Sequence, residues 1–391
     1  MIRVIDLFSG CGGLSRGFIT AGFEVVFAGD NDQDSVNSYN HLIPDSHAAL
    51  IDIFELAKDT VGHLGAIRDV DVLVGGPPCQ GFSAINPKRS LDDPRNTCVD
   101  AFIAVVKNIS PKVVVIENVS GLVSLNKGRA LVSIQEALAS MGYEVSIKIL
   151  QAAHYGVPQS RWRLFIIGSK IGAYEFPSPT HHAKITPNIV RGSELTFHIP
   201  DEPDLFINLL PPTTVFDAIS DLPEITNGEQ RPVSGYPVPS NSEYQTLMRR
   251  ESDLLSCHAT TNLGALQMER VRTISNQGGN WRDLPDHLLP DNIKKQVQKY
   301  GPAFGNAARF GRLSWDGRFT TILTQPHLYW GSFIHPTQNR VISVRETARA
   351  QSFPDSFAPF GGLSSQYRQI GNAVPPLLSE AVARNVLKLF E

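Results

Sequence analysis

Short apolar, β-branched runs recur through the first 170 residues, at Arg3–Phe8, Glu24–Ala28, Asp71–Val74 and Lys112–Ile116. Between them lie Gly13–Ala21, Val99–Asn108 and Gly128–Met141, whose apolar positions repeat at helical spacing. Runs that are apolar on both faces, alternating with helices, predict a parallel sheet covered on both sides, a doubly wound α/β fold. A further strand is expected to end near Asp52-Ile53. Glu144–Leu150 and Trp162–Ser169 follow one another closely and predict an antiparallel pair at the sheet edge. After residue 172 the periodicity fades. Residues 173–245 are rich in Pro, Thr, Ser and Asn and read as loops. The helical pattern returns in Pro375–Phe390, with Leu378, Ala381, Val382, Val386 and Leu389 on one stripe.

The chain has 391 residues, 42% of them hydrophobic, which allows a sizeable core and suggests two domains. A net charge of −3 is no overall nucleic-acid signature. Residues 246–312, however, hold ten Lys/Arg against six Asp/Glu, a local surplus of four. The four cysteines, Cys11, Cys79, Cys98 and Cys257, form no C-x-x-C pair. That argues against a zinc ribbon, a redox dithiol or a disulfide framework, and for a reduced, cytoplasmic setting with no metal site. Met1-Ile2-Arg3-Val4 enters a strand directly, without the parts of a signal peptide. No apolar run reaches the roughly 18 residues of a membrane span.

The chemistry gathers at predicted strand ends. DLFSGCGGLSRGF (6–18) joins strand to helix through glycines, either as a tight turn or as a turn that lets a ligand meet backbone N–H groups. The third glycine of a dinucleotide pattern is replaced by Ser15, so the turn suits a nucleotide-like ligand without a pyrophosphate. Asp30, twenty residues after Gly10, is placed for ribose hydroxyls, and Asp52 for an adenine amino group. GGPPCQGFS (75–83) ends another strand and sets a thiol, Cys79, behind two prolines that fix φ. KVVVIENV (112–119) ends in Glu117-Asn118, where partial desolvation would favour a protonated acid. YGVPQSRWR (155–163) supplies Arg161 and Arg163, which strand alternation would put on one face.

In combination these segments resemble the C5-cytosine DNA methyltransferases of bacterial restriction–modification type. The matching stretches are DLFSGCGG (6–13), GGPPCQGFS (75–83), DPRN (93–96), ENV (117–119), QSRWR (159–163), RETARAQSFP (345–354) and QIGNAVPP (369–376). The resemblance implies a Rossmann-like, S-adenosylmethionine-dependent methyltransferase sheet with a smaller, loop-rich target-recognition domain. Residues 1–172 would form the catalytic and cofactor-binding domain, completed by 364–391, and residues 173–363 the target-recognition domain and hinge. It implies S-adenosyl-L-methionine as cofactor, held by Phe8, Gly10, Gly12, Gly13, Asp30, Asp52, Ile53, Gly76 and Asn372. Asn31 stands where some members stack an aromatic ring on adenine. The resemblance also implies Cys79 as nucleophile at C6 of a flipped cytosine, Glu117 as donor to N3, Arg163 on O2 and Arg161 in support. Pro78, Gln80, Ser83 and Gln159 would serve the substrate side, with the 80–96 loop closing over the base.

Double-stranded DNA is the implied partner, with a cognate restriction endonuclease acting on the same site and no stable complex with it. The enzyme is expected to be a cytoplasmic monomer. SNQGGNWRDLP (275–285) is the candidate base-reading loop, through Asn276, Gln277 and Arg282, although an ordinary polar loop would look alike. Three other readings carry less. The tRNA-acting relatives read Pro-Pro-Cys-Gln-Pro-Phe-Thr where this chain has PPCQGFS. A non-catalytic DNA-binding protein would not keep every catalytic position filled. An NAD-linked oxidoreductase would want a glycine at Ser15.

Overall fold

The computed structural model describes residues 1–65, 67, 69–78, 97–183, 209–301 and 308–391. Cys79, Gln80 and Ser83 lie outside the described residues. The chain divides into two compact units. The first comprises Met1–Gly156, Trp162–Pro211 and Ala373–Glu391, and the second Val157–Arg161 and Pro212–Asn372.

The first unit opens with β1 (Arg3–Leu7), α1 (Gly13–Thr20), β2 (Glu24–Asp30), α2 (Gln33–Leu42), β3 (Ala48–Leu50), α3 (Ile53–Lys58) and α4 (Thr60–Leu64). It continues with β4 (Val72–Gly75), α5 (Thr97–Ile109), β5 (Val113–Val119), α6 (Arg129–Ser140), β6 (Glu144–Gln151) and β7 (Trp162–Ser169). The seven strands form one sheet in the order β3-β2-β1-β4-β5-β7-β6. β1 to β5 run parallel, and β7 lies antiparallel between β5 and β6. The expected antiparallel pair is therefore present at the edge. Strand order reverses between β1 and β4, so their carboxyl ends open the crevice where such sheets bind ligands. On one face, Ile5, Leu73, Val114 and Ile116 pack against Phe102, Val105 and Val106 of α5 and Leu131, Ile134 and Leu138 of α6. The two helical sets recur at three- and four-residue spacing because only one stripe of each helix meets the sheet.

The third strand is shorter than expected. β3 ends at Leu50, and Asp52 caps α3, its carboxylate accepting from the Phe54 N–H at 2.8 Å. A carboxylate that satisfies a free helix N–H fixes the turn two residues beyond the strand.

The second unit has little sheet. It contains α7 (Val215–Ile219), β8 (Ser234–Gly235), α8 (Glu243–Arg249), β9 (Leu254–Leu255), α9 (Ala265–Thr273) and α10 (Asp291–Tyr300). Then follow β10 (Gly311–Arg312), β11 (Ser332–Ile334), α11 (Val344–Ala350) and α12 (Leu363–Asn372). All seven residues of α11 are buried, although four are polar or charged. Ser343 and Glu346 form a capping box at its start. Glu346 takes two hydrogen bonds from Arg340, at 2.8 and 2.7 Å. Arg349 is shared between Asp355, at 2.6 Å, and Asp221, at 2.5 Å. Buried charges persist only when paired and hydrogen-bonded in this way. The RETARAQ stretch is thus an internal ionic scaffold.

The final helix, α13 (Pro376–Leu387), belongs to the first unit and lies against α1. The Ser379 hydroxyl donates to the Leu14 carbonyl at 2.6 Å, and the Tyr174 hydroxyl to the Val382 carbonyl at 3.2 Å. Among the described residues, no helix is long and apolar enough to cross a membrane.

Candidate active site and cofactor turn

The turn after β1 is built from unusual backbone. Phe8, Gly10 and Gly12 have φ of +59°, +53° and +90°. Glycine takes this left-handed region freely, whereas Phe8 holds it under strain, as residues at ligand sites often do. A β-carbon at Gly12 would come within 3.1 Å of the Tyr39 ring, so the turn needs glycine there for space as well. The Gly10 N–H donates to Asp30 at 2.9 Å, and the other Asp30 oxygen accepts from the Asp32 N–H at 2.9 Å. Burial raises the Asp30 carboxyl above its ordinary value, against the pull of these backbone bonds.

Beneath the turn runs a buried polar chain. The Tyr39 hydroxyl donates to Ser15 Oγ at 2.8 Å, and the Ser15 hydroxyl donates to Asp6 Oδ2 at 2.6 Å. In the sequence Ser15 reads only as a missing glycine. Its signal there is the pairing of a strand acid with a hydroxyl nine residues on, at the first turn of a helix.

The turn fits an adenosyl-type ligand. A β-carbon at Gly10 would meet nothing within 4 Å, leaving open space before its backbone. Ser9 Oγ is buried without a hydrogen-bond partner. With three backbone donors on its four acceptor positions, Asp30 keeps acceptor capacity for a ligand hydroxyl. Gly13 begins α1, Asn31 is exposed, Ile53 is buried at the start of α3, and Asp52 keeps its cap position. Asn372 ends α12 in the second unit.

The end of β4 meets the end of β5. A β-carbon at Gly76 would lie 3.1 Å from Glu117 Oε2. Asn118 Nδ2 donates to the Pro77 carbonyl at 3.1 Å. β5 therefore anchors the Gly76-Pro77-Pro78 segment from which Cys79 follows. Glu117 and Arg163 meet diagonally across the β5–β7 pair, Glu117 lying opposite Phe165 and Arg163 opposite Val119, with Glu117 Oε1 2.7 Å from Arg163 Nε. Both side chains are about nine-tenths buried, at 9% and 11% exposure. Arg163 also donates to the Trp162 carbonyl at 2.8 Å. A guanidinium on a buried carboxylate opposes the effect of desolvation, so two competing influences set the charge of this pair.

Two expectations need correction. Arg161 and Arg163 do not share a strand face, because β7 starts at Trp162. Arg161 belongs to the second unit, fully buried, and donates to the carbonyls of Ile322 and Gly371 at 2.9 and 2.8 Å. Gln159, expected on the substrate side, is instead fully buried in the second unit. It donates to the Ala350 carbonyl and Gln351 Oε1 while accepting from the Ile322 N–H. With its amide used in this way, it is a strut and not a DNA contact.

The charge surplus also shrinks on folding. Arg270 and Arg312 are buried, donating to carbonyls that include Leu288 and Ile274, and Arg249 is paired with Asp221. Asn276, Gln277 and Arg282 are exposed in the second unit. Gln277 accepts from the Trp315 N–H at 3.0 Å, and Arg282 stacks on Trp281 at 4.8 Å.

The family model for C-5 cytosine-specific DNA methylases matches residues 2–388. The Type II methyltransferase M.AgeI of Thalassovita gelatinovora is 33% identical over 98% of this chain and 99% of its own. M.DdeI of Desulfomicrobium norvegicum is 34% identical over 100% of this chain and 89% of its own. A crystal structure described as a prophage-encoded DNA modification methyltransferase (E. coli) superposes with a TM-score of 0.72 at 24% identity, covering 100% of this chain and 99% of the other, and supports the fold. With a whole-chain family match and full-length relatives, the chain belongs to the C-5 cytosine-specific DNA methylases, enzymes that move a methyl group from S-adenosylmethionine to C5 of cytosine.

Proposed function

We propose that the chain methylates one cytosine within a specific double-stranded DNA sequence, after turning that base out of the duplex, through a covalent bond from Cys79 to C6. The observation that supports this best is the Glu117–Arg163 pair beside Gly76, at the head of the Pro77-Pro78-Cys79 segment. C5 of cytosine is a weak nucleophile. Addition of a thiolate to C6 places an enamine across C5, and a proton on N3 neutralises the charge that forms. Glu117 supplies that proton and holds the exocyclic amine. Arg163 donates to O2, with Arg161 in support. S-adenosylmethionine, when bound, supplies the methyl electrophile. Phe8, Gly10, Gly12 and Gly13 line its place, Asp30 takes the ribose hydroxyls, Asn31, Asp52 and Ile53 border the adenine, and Gly76 completes the pocket. Loss of the C5 proton to a base then restores the ring double bond and expels Cys79.

An enzyme cannot reach C6 inside a stacked duplex, so the base is flipped at a cost of a few kcal/mol. Pro78, Gln80 and Ser83 belong to the segment that meets it. The first unit, which extends past the expected boundary at 172 to Pro211 and resumes only at Ala373, acts as the catalytic and cofactor part, and the second reads the DNA, with Asn276, Gln277 and Arg282 on base edges. The setting that fits is a cytoplasmic monomer protecting DNA from an endonuclease of the same specificity.

The test is transfer of tritium from labelled cofactor to duplex DNA, with bisulfite sequencing to locate the cytosine. Cys79→Ser is expected to bind DNA and transfer nothing. Near-normal transfer by that variant overturns the mechanism.

A further inference from the structure

Asp6 has no part in the chemistry above, yet it is the most deeply placed acid of the cofactor turn. It lies on β1, two residues before Phe8, and is completely buried. Its Oδ2 takes the Ser15 hydroxyl at 2.6 Å, while its Oδ1 is buried with no hydrogen-bond partner. Ser15 in turn takes the Tyr39 hydroxyl, and the Tyr39 ring limits the space at Gly12. Asp6 thus sits at the root of a strut that ends on the turn itself.

The groups around it are few. β2 brings Asp30, whose charge acts on Asp6. α2 brings Tyr39, which feels the Asp6 charge; Cys11 of the turn is acted on by Asp30, and Arg16 of α1 by Glu380 of α13. β4, on the other edge of β1, offers no titratable side chain between Val72 and Gly75. Among the described residues no cation forms an ion pair with Asp6, and one acid repels it. An ionised carboxylate here would be stabilised by whatever positive charge enters the turn.

We propose that Asp6 is a positioning residue for the cofactor: through Ser15 and Tyr39 it sets the shape of the Ser9–Gly13 turn, and its carboxyl gives up a proton when a cationic ligand fills that turn. Burial first, and Asp30 to a lesser degree, push the carboxyl up to about 7, so the proton is present near neutrality in the empty protein. S-adenosylmethionine carries a sulfonium, an ammonium and a carboxylate, a net charge of one plus. S-adenosylhomocysteine lacks the sulfonium and is neutral overall. The two differ in the charge that would draw the proton off and in little else.

The inference rests on the turn being the cofactor site. Binding of both ligands is measured by calorimetry at pH 6 and pH 8. For the wild type, affinity for S-adenosylmethionine is expected to rise about tenfold between these values, by proton linkage to a group near 7. For S-adenosylhomocysteine the rise is smaller. In Asp6→Asn the difference between the two ligands disappears, and comparison with the wild type cancels the titration of the ligands themselves. Ser15→Ala keeps the carboxyl and breaks the strut, so it weakens both ligands alike and retains the pH difference. It also serves if Asp6→Asn does not fold. A wild type whose pH dependence is the same for both ligands overturns the inference, as does an Asp6→Asn protein that keeps the difference. Asp30→Ala separates the two ideas: unchanged affinity there would move the cofactor away from this turn altogether.

Discussion

Gly17→Ala on α1 sets two effects of opposite sign against each other. Alanine in a helix interior is favoured over glycine by about 1 kcal/mol. Here, however, the new β-carbon would lie 2.4 Å from Ser379 Cβ, Ser379 Oγ and the Glu380 backbone nitrogen. These are atoms of α13, not the end of a flexible chain that can swing aside. Overpacking of this kind costs about 1–3 kcal/mol. If Ser379 is pushed off, its hydrogen bond to the Leu14 carbonyl goes too, and a buried polar group left alone costs about 1–3 kcal/mol. Steric and polar costs outweigh the helical gain, and a net loss of about 1–5 kcal/mol follows. Urea unfolding measures it, with amide exchange in β1 reporting the unit that holds both helices. Ser379→Gly opens the space, so the double variant is expected to recover part of the loss, a coupling that a mutant cycle isolates. A Gly17→Ala protein as stable as the wild type, or more so, would refute the packing of α13 on α1.

Glu117→Gln keeps the size and hydrogen-bonding reach of the side chain but cannot give N3 a proton. Turnover is expected to fall about 10²–10⁴-fold, the usual worth of a positioned acid, with cofactor affinity little changed. Wild-type turnover in the methyl-transfer assay would remove Glu117 from the chemistry. Arg340→Met leaves Glu346 as a buried unpaired charge and is expected to cost about 3–5 kcal/mol in urea unfolding, whereas Arg340→Met combined with Glu346→Gln costs less. No loss in the single variant would contradict the pairing. The two units should respond to pH in opposite senses. In the second, burial lowers His335 to about 3, and Arg349 holds Asp355 below the carboxylate range against the upward push of burial. Stability from these groups is present above their unfolded values and lost as pH falls from about 6 through the acid range. In the first, the raised Asp6 carboxyl contributes stability below its unfolded value of 3.8 that is lost as pH rises through about 7. Limited proteolysis at pH 4.5 should therefore cut the second unit first; earlier cutting within residues 1–156 would reverse this assignment.

Much of the first unit was legible because its elements are periodic. Strands buried on both faces leave unbroken apolar runs, and helices on a sheet show one stripe. Glu117 could be placed at a strand end because the residues before it are uniformly apolar. The second unit hides its logic. Its core is partly ionic, so Arg340, Arg345 and Arg349 look like surface charge until Glu346, Asp221 and Asp355 are seen beside them. The same blindness inflated the basic surplus of residues 246–312, since Arg270 and Arg312 spend their donors on backbone carbonyls. The burial of Gln159 and the separation of Arg161 from the strand face of Arg163 could not be read for a related reason. The partners of both residues lie more than 150 positions away, and no local pattern records them.

The place of α13 in the chain also orders events on the ribosome. β7 is complete at Ser169, but the helix that covers α1 begins only at Pro376, about 200 residues later. At roughly 5–20 residues per second, the interval is roughly 10–40 seconds. Through that time the Gly17 face of α1 has no cover, and Ser379 is not there to take up the Leu14 carbonyl. The Ser9–Gly13 turn, which runs directly into α1, is then held from below by Asp6 and from the side by Asp30, but not from behind. The nascent first unit is in this respect an open sheet with one wall missing until the segment from Pro376 docks on it.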